Sequence, residues 1–168
     1  LDEFDLEEAD VLRQGLAAAY PEQGQAIFER IYRWTNGHPY LTQQLCLAVV
    51  DDGRPSWTDD GIDELVEKLF LSEEARKETN LQFVRDKVGN SPQRRKLLTT
   101  YRRVRTGMDI RDDERSLVHN RLKLFGLVRS EHNLLRVRNE IYRRVFDLEW
   151  IKDNMPPDWT WRIVAIAV

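Results

Sequence analysis

Apolar residues recur every three or four positions through most of this chain, and one short stretch, residues 127–137, breaks that rhythm with two β-like runs. Ala9, Leu12, Leu16 and Ala19 mark a first helix. Asp5 opens it, with Glu8 three residues on in capping-box spacing, and Tyr20-Pro21 stops it. Ile27, Phe28, Ile31 and Trp34 put a second helix over residues 23–35. Leu41, Leu45, Ala48 and Val49 put a third from Pro39 to about residue 50, with Gln43 and Gln44 nearer its rim. After the turn at 51–55, Ile62, Leu65, Val66 and Leu69 share one face of a fourth helix, whose electropositive start carries Asp59 and Asp60. A further helix begins at Ser72. Its apolar positions, Leu81, Val84 and Val88, are sparse against a polar remainder, as in a helix that connects two units.

Gly89-Asn90-Ser91-Pro92 is the clearest break, with Ser91 as cap and Pro92 as first residue of the next helix. Beyond it the order becomes mixed. Leu97, Leu98, Tyr101 and Val104 define a helix to Gly107. Asp112-Asp113 introduce another, with Leu117, Val118, Leu122 and Phe125 inward and Gly126 as its stop. Residues 127–129 and 134–137 then read as strands joined through Ser130-Glu131-His132-Asn133, and Asn139 caps a last helix with Ile141, Tyr142, Val145 and Phe146. The expected class is mainly α: a helical lid bundle (1–71), a connecting helix (72–90), a winged helix-turn-helix unit with a short β-hairpin (91–149) and an exit segment (150–168).

Between the second and third helices, Thr35-Asn36-Gly37-His38-Pro39 reverses the chain. Asn36 and Gly37 tolerate the left-handed conformation that ends a helix, and Pro39 suits the first turn of the next. A tight helix-to-helix connection explains this much without further chemistry.

Charge sharpens the division. The net charge is only −3, yet residues 1–75 hold 17 acidic and 5 basic side chains, whereas residues 93–144 hold 15 basic and 6 acidic. Such a basic unit serves a phosphate-bearing ligand, nucleic acid or an acidic neighbour, and the nearest acidic neighbour is the front of the same chain. The single cysteine, Cys46, lies in an apolar helical run and reads as a reduced core residue of a cytoplasmic protein.

Three stretches, Tyr32-Arg-Trp-Thr-Asn-Gly-His-Pro-Tyr-Leu-Thr42, Phe125-Gly-Leu-Val128 and Leu135-Arg-Val-Arg-Asn-Glu-Ile-Tyr-Arg-Arg-Val-Phe146, resemble the C-terminal part of bacterial STAND-type, AAA-like NTPases. The resemblance implies a nucleotide-sensing module within a larger ATP-dependent signalling switch. In that family the Gly-x-Pro element, here Gly37 and Pro39, lies against adenine. A Met-His-Asp motif at the start of the last winged-helix helix contacts the phosphate. Val137, Arg138 and Asn139 match that motif by position; Arg138 departs from the usual histidine, although a guanidinium also pairs well with phosphate. ADP or ATP would then be held only together with a preceding P-loop domain of the parent chain, and copies would assemble on activation.

No G-x-x-x-x-G-K-[ST] loop and no apolar strand ending in paired acids occurs, so this stretch by itself is expected to lack phosphoryl-transfer chemistry. His38, His119 and His132 are scattered and unaccompanied by cysteines, which speaks against a metal site, and no catalytic residue is assigned. The alternative is a DNA-binding winged helix, with Arg115, Arg121 and Lys123 and the wing residues Arg129 or Arg136 on phosphates, and Ser116, His119 and Asn120 reading bases. The acidic front disfavours nucleic acid. The third reading is a purely structural interaction domain. Trp159, Trp161, Arg162 and the apolar run 163–168 read as an exit towards a further domain or a membrane span, so that the chain looks cut from something longer.

Overall fold

A computed structural model describes residues 6–157; the expected Asp5 cap and the apolar run 163–168 lie outside them. The protein is mainly helical with one two-stranded antiparallel sheet. Its elements are α1 (Leu6–Ala19), α2 (Gly24–Thr35), α3 (Pro39–Asp52), α4 (Asp59–Val66), α5 (Thr79–Gly89), α6 (Arg94–Arg105), α7 (Leu117–Leu124), β1 (Val128–Glu131), β2 (Leu134–Val137), α8 (Glu140–Val145) and α9 (Leu148–Asn154).

The first three helices fall where the apolar spacing puts them, and they bury Leu16, Ile27, Phe28, Ile31, Trp34, Leu41, Leu45 and Val49 against one another. A Cβ built on Gly24 would stand 2.6 Å from the Ala17 Cα, so α1 and α2 meet backbone to backbone at that point. Cys46 is buried in the same cluster, and burial pushes its thiol up to about 12.

Four boundaries differ from the sequence expectation. The fourth helix keeps α geometry only to Val66 and then widens into a π-helical turn over Glu67–Leu71, which sets Phe70 into the core. The connecting helix starts at Thr79, not at Ser72. Ser72 Oγ accepts from the Ala75 amide at 3.2 Å and heads only a 3-10 turn, and Glu78 supplies the real cap by accepting from the Asn80 and Leu81 amides. Pro92 stays in the turn before α6 and is not its first residue, because Ser91 Oγ caps only as far as the Gln93 amide. Asp112 and Asp113 likewise precede α7 without capping it. Ser116 does so by accepting from His119 N, while Asp112 is turned inward onto Lys123 Nζ at 2.7 Å.

The hairpin is tighter than the sequence reading, since only His132 and Asn133 turn, both at positive φ (50° and 62°). That is the two-residue loop whose twist matches flanking strands. Its register pairs Val128 with Val137 and Glu131 with Leu134. The chain at Ile110-Arg111 adds a partial third strand, with Leu135 N donating to Ile110 O at 2.8 Å. The first residues of the expected exit segment, from 150, belong to α9, which is capped by Asp147 and anchored by buried Ile151.

Salt bridges such as Arg30–Asp63, Lys123–Asp112 and Arg136–Asp109 each lie within one half of the chain. Between the halves, the Arg144 guanidinium sits 4.6 Å from the Trp34 ring centroid and its charge, after the hydrogen bond from Arg30, also lowers the Asp63 carboxyl, α8 lies on α2 and on the π-helical turn, and a neutral polar chain runs from His38.

Candidate functional site

The turn between α2 and α3 has the shape its residues allow. Asn36 and Gly37 are left-handed, at φ 48° and 73°, and Pro39 opens α3. Thr35 and Thr42 close the base of the turn, their buried hydroxyls 2.7 Å apart. His38, between the two residues assigned from sequence, is the N-cap: its Nδ1 accepts from Leu41 N at 3.5 Å. An imidazole that accepts at Nδ1 and is neutral carries its proton on Nε2. That proton faces the Tyr142 hydroxyl at 3.4 Å, with the two rings 5.6 Å apart, and Tyr142 donates in turn to Asn80 Oδ1. One directed hydrogen-bond chain thus joins the start of α3, the start of α5 and the first turn of α8.

The second pair of expected residues stands at the same place. Asn139 caps α8, as expected, by accepting from Tyr142 N at 2.8 Å. Arg138 is not a solvated surface arginine. It is 8% exposed and Asn139 is 6% exposed. A Cβ built on Gly126 would meet Tyr142 Cε2 at 3.6 Å and Arg138 Nη1 at 3.8 Å, so guanidinium and phenol lie side by side. Burial first, and then the positive charge of Arg138, push the His38 imidazole down to about 4 and keep it neutral. Burial likewise raises the Tyr142 phenol, so its proton stays on.

Gly37 and Pro39 are therefore joined to Arg138 and Asn139 through His38 and Tyr142, across a separation of 104 residues. A cationic fork and the Asn139 side-chain amide, whose Nδ2 is buried without a hydrogen-bond partner, form a donor set that fits an anionic oxygen such as that of a phosphate. His38, Asn80 and Tyr142 were missed as site residues. Their signals were slight: a cap position inside the motif, a polar residue in the first turn of the connecting helix, and a tyrosine on an otherwise apolar face.

Of the groups that a DNA-reading α7 would use, Arg115 and Arg121 make no ion pair among the described residues, and the others are occupied. Ser116 is the cap, His119 Nδ1 accepts from the Asp113 amide, and Asn120 Nδ2 donates to Glu114 O. Lys123, Arg129 and Arg136 are each paired with a carboxylate. Leu117 and Leu124, 63% and 76% exposed, are what this helix shows outward instead. Among the described residues no group of three or more His, Cys, Asp or Glu side chains is placed to hold a metal ion. No protein-family model, curated protein or solved structure matches this chain.

Proposed function

We propose that this chain is the nucleotide-sensing lid and winged-helix module of a larger bacterial STAND-type, AAA-like ATPase switch. Its partner is an N-terminal P-loop domain of the same parent chain, its setting is the cytoplasm, and it carries no catalysis of its own. One observation carries the reading: the turn at Gly37 and Pro39 and the turn at Arg138 and Asn139 are distant in sequence yet are tied by the His38–Tyr142–Asn80 chain. ADP bound by the P-loop domain would present its base to Gly37 and Pro39 and its phosphate to Arg138 and Asn139. The nucleotide supplies an anion; this chain supplies a pre-arranged cation in a poorly solvated place, where a charge-assisted bond is stronger than in water. Binding to these two turns favours the arrangement in which they are together, and that arrangement is the inactive state of the switch.

In the complete parent protein, Arg138→Lys should keep the charge and lose the planar fork. Weakening of ADP retention by about ten-fold, equivalent to about 1.4 kcal/mol, together with raised basal activity, is the expected result. Unaltered ADP affinity in a folded Arg138→Lys protein refutes the sensing role. Lysine is the substitution to use, because truncating so buried an arginine to alanine would itself damage the fold.

A further inference from the structure

The outward side of α6 carries a feature that nucleotide sensing does not use. Leu97, Leu98, Tyr101 and Val104 face the core, which leaves Arg95, Lys96, Thr99, Arg102, Arg103 and Thr106 on the exposed side. Four of those six are cations and none is a carboxylate. Helix stability does not account for them: Arg94, Arg95 and Lys96 crowd the first turn, where the macrodipole is positive and acids are favoured. Nor does ion pairing, since Lys96, Arg102 and Arg103 have no carboxylate partner among the described residues.

Along one flank of this ridge runs α9, tied to it by Arg94 to Asn154 Oδ1 and by Arg95 to Pro156 O at 2.7 Å. Between the helices lies an open groove of about 320 Å³ with Leu148, Ile151 and Met155 as its apolar walls and Arg102 and Lys152 at its sides. Leu148 is 45% exposed, and Met108, just past the other end of α6, is 52% exposed. Unpaired cations interspersed with exposed aliphatic side chains are the composition of a surface that rests on anionic lipid, where headgroup phosphates meet Lys and Arg and the apolar groups enter the boundary below. A single-stranded nucleic-acid groove would offer exposed aromatic rings for stacking, and neither the exposed side of α6 nor the lining of the groove has one, whereas exposed aliphatic side chains serve a lipid boundary and not a phosphate backbone.

We infer that the α6–α9 face is a docking surface for a membrane rich in anionic phospholipids. It would hold the module flat against the bilayer by α6 and leave the His38–Tyr142 junction to work above it.

The test is co-sedimentation of the whole 168-residue chain with vesicles of phosphatidylcholine alone and of phosphatidylcholine with about one-third phosphatidylglycerol, beside the Lys96→Gln/Arg102→Gln/Arg103→Gln variant. Circular dichroism checks that both are folded. The wild type should bind the anionic vesicles, bind the neutral ones far less, and lose binding as salt is raised. The triple variant should bind the anionic vesicles about a hundred-fold more weakly, at roughly five-fold for each cation removed. Equal binding to both vesicles, or undiminished binding by a folded triple variant, would assign the attraction to apolar segments elsewhere and overturn the inference. Binding to a duplex oligonucleotide as tight as to the anionic vesicles, lost in the same variant, would overturn it in favour of nucleic acid.

Discussion

Acidification should unfold this protein through one residue before most others, and His38→Asn isolates it. The unfolded imidazole has a pKa near 6.5, while in the folded chain burial and Arg138 push it down to about 4. Between those values the unfolded chain takes up a proton that the folded chain refuses. The stability this residue contributes is therefore complete above about pH 6.5 and is lost progressively as the pH falls towards 4. Going from about pH 7.5 to about pH 5, the linkage amounts to about 2 kcal/mol. Asparagine keeps a side-chain acceptor at the N-cap, where it is among the preferred residues, and does not titrate. Comparing urea unfolding of both proteins at the two pH values cancels every contribution that is common to both. The wild type should lose about 2 kcal/mol more than the variant. Equal losses would mean that the imidazole titrates normally, and the enclosed arrangement with Arg138 and Tyr142 would be refuted.

Tyr142→Phe keeps the ring but removes the hydroxyl between His38 and Asn80. Leaving those partners unpaired in a buried place should cost about 1–3 kcal/mol, read as a thermal midpoint lower by roughly 2–4 °C per kcal/mol for a chain of this size, and no shift would show that the chain of bonds holds nothing together. Gly37→Ala forces alanine to a φ of 73° and sets its Cβ 3.1 Å from Tyr32 Cε2, whereas Gly53→Ala, at φ 70°, meets nothing within 4 Å. Both should destabilise by about 1–2 kcal/mol from the backbone alone, and Gly37→Ala by more; equal losses in denaturant titrations would mean that the Tyr32 ring yields freely.

How far the sequence spoke for the fold depended on the kind of signal. Helical periodicity located α2 and α3 because their apolar residues are dense and their ends are punctuated by Pro21, Gly37, Pro39 and Gly53, each a conformational constraint that no tertiary contact overrides. It misjudged starts wherever two capping residues compete. Ser72 and Glu78 can each close a first turn, as can Asp113 and Ser116, and which one heads the α-helix is decided by where the apolar face must land. Leu81, buried on α5, makes Glu78 the winner; Leu122, buried on α7, does the same for Ser116. The widening to π geometry at Glu67–Leu71 has no local signature at all. The helix α9 was legible, since Asp147 precedes Leu148 and Ile151 at helical spacing, but the prolines at 156 and 157 drew the whole stretch into an exit segment.

The site was half legible for a related reason. The family resemblance singles out Gly37, Pro39, Arg138 and Asn139, which lie at two turns, and turns are local. What joins them is tertiary, and it runs through residues that periodicity classes as core. Tyr142 follows Ile141 and precedes Val145 and Phe146 on an inward face, so its ring reads as packing. Its hydroxyl, however, would cost about 1–3 kcal/mol if buried without a partner, and buried polar groups are nearly always paired. An inward tyrosine beside an N-cap asparagine therefore announces a polar partner on whatever packs against α8. It leaves that partner's identity open: periodicity fixes which way a side chain points and says nothing of what stands opposite, which for Tyr142 is a histidine 104 residues away.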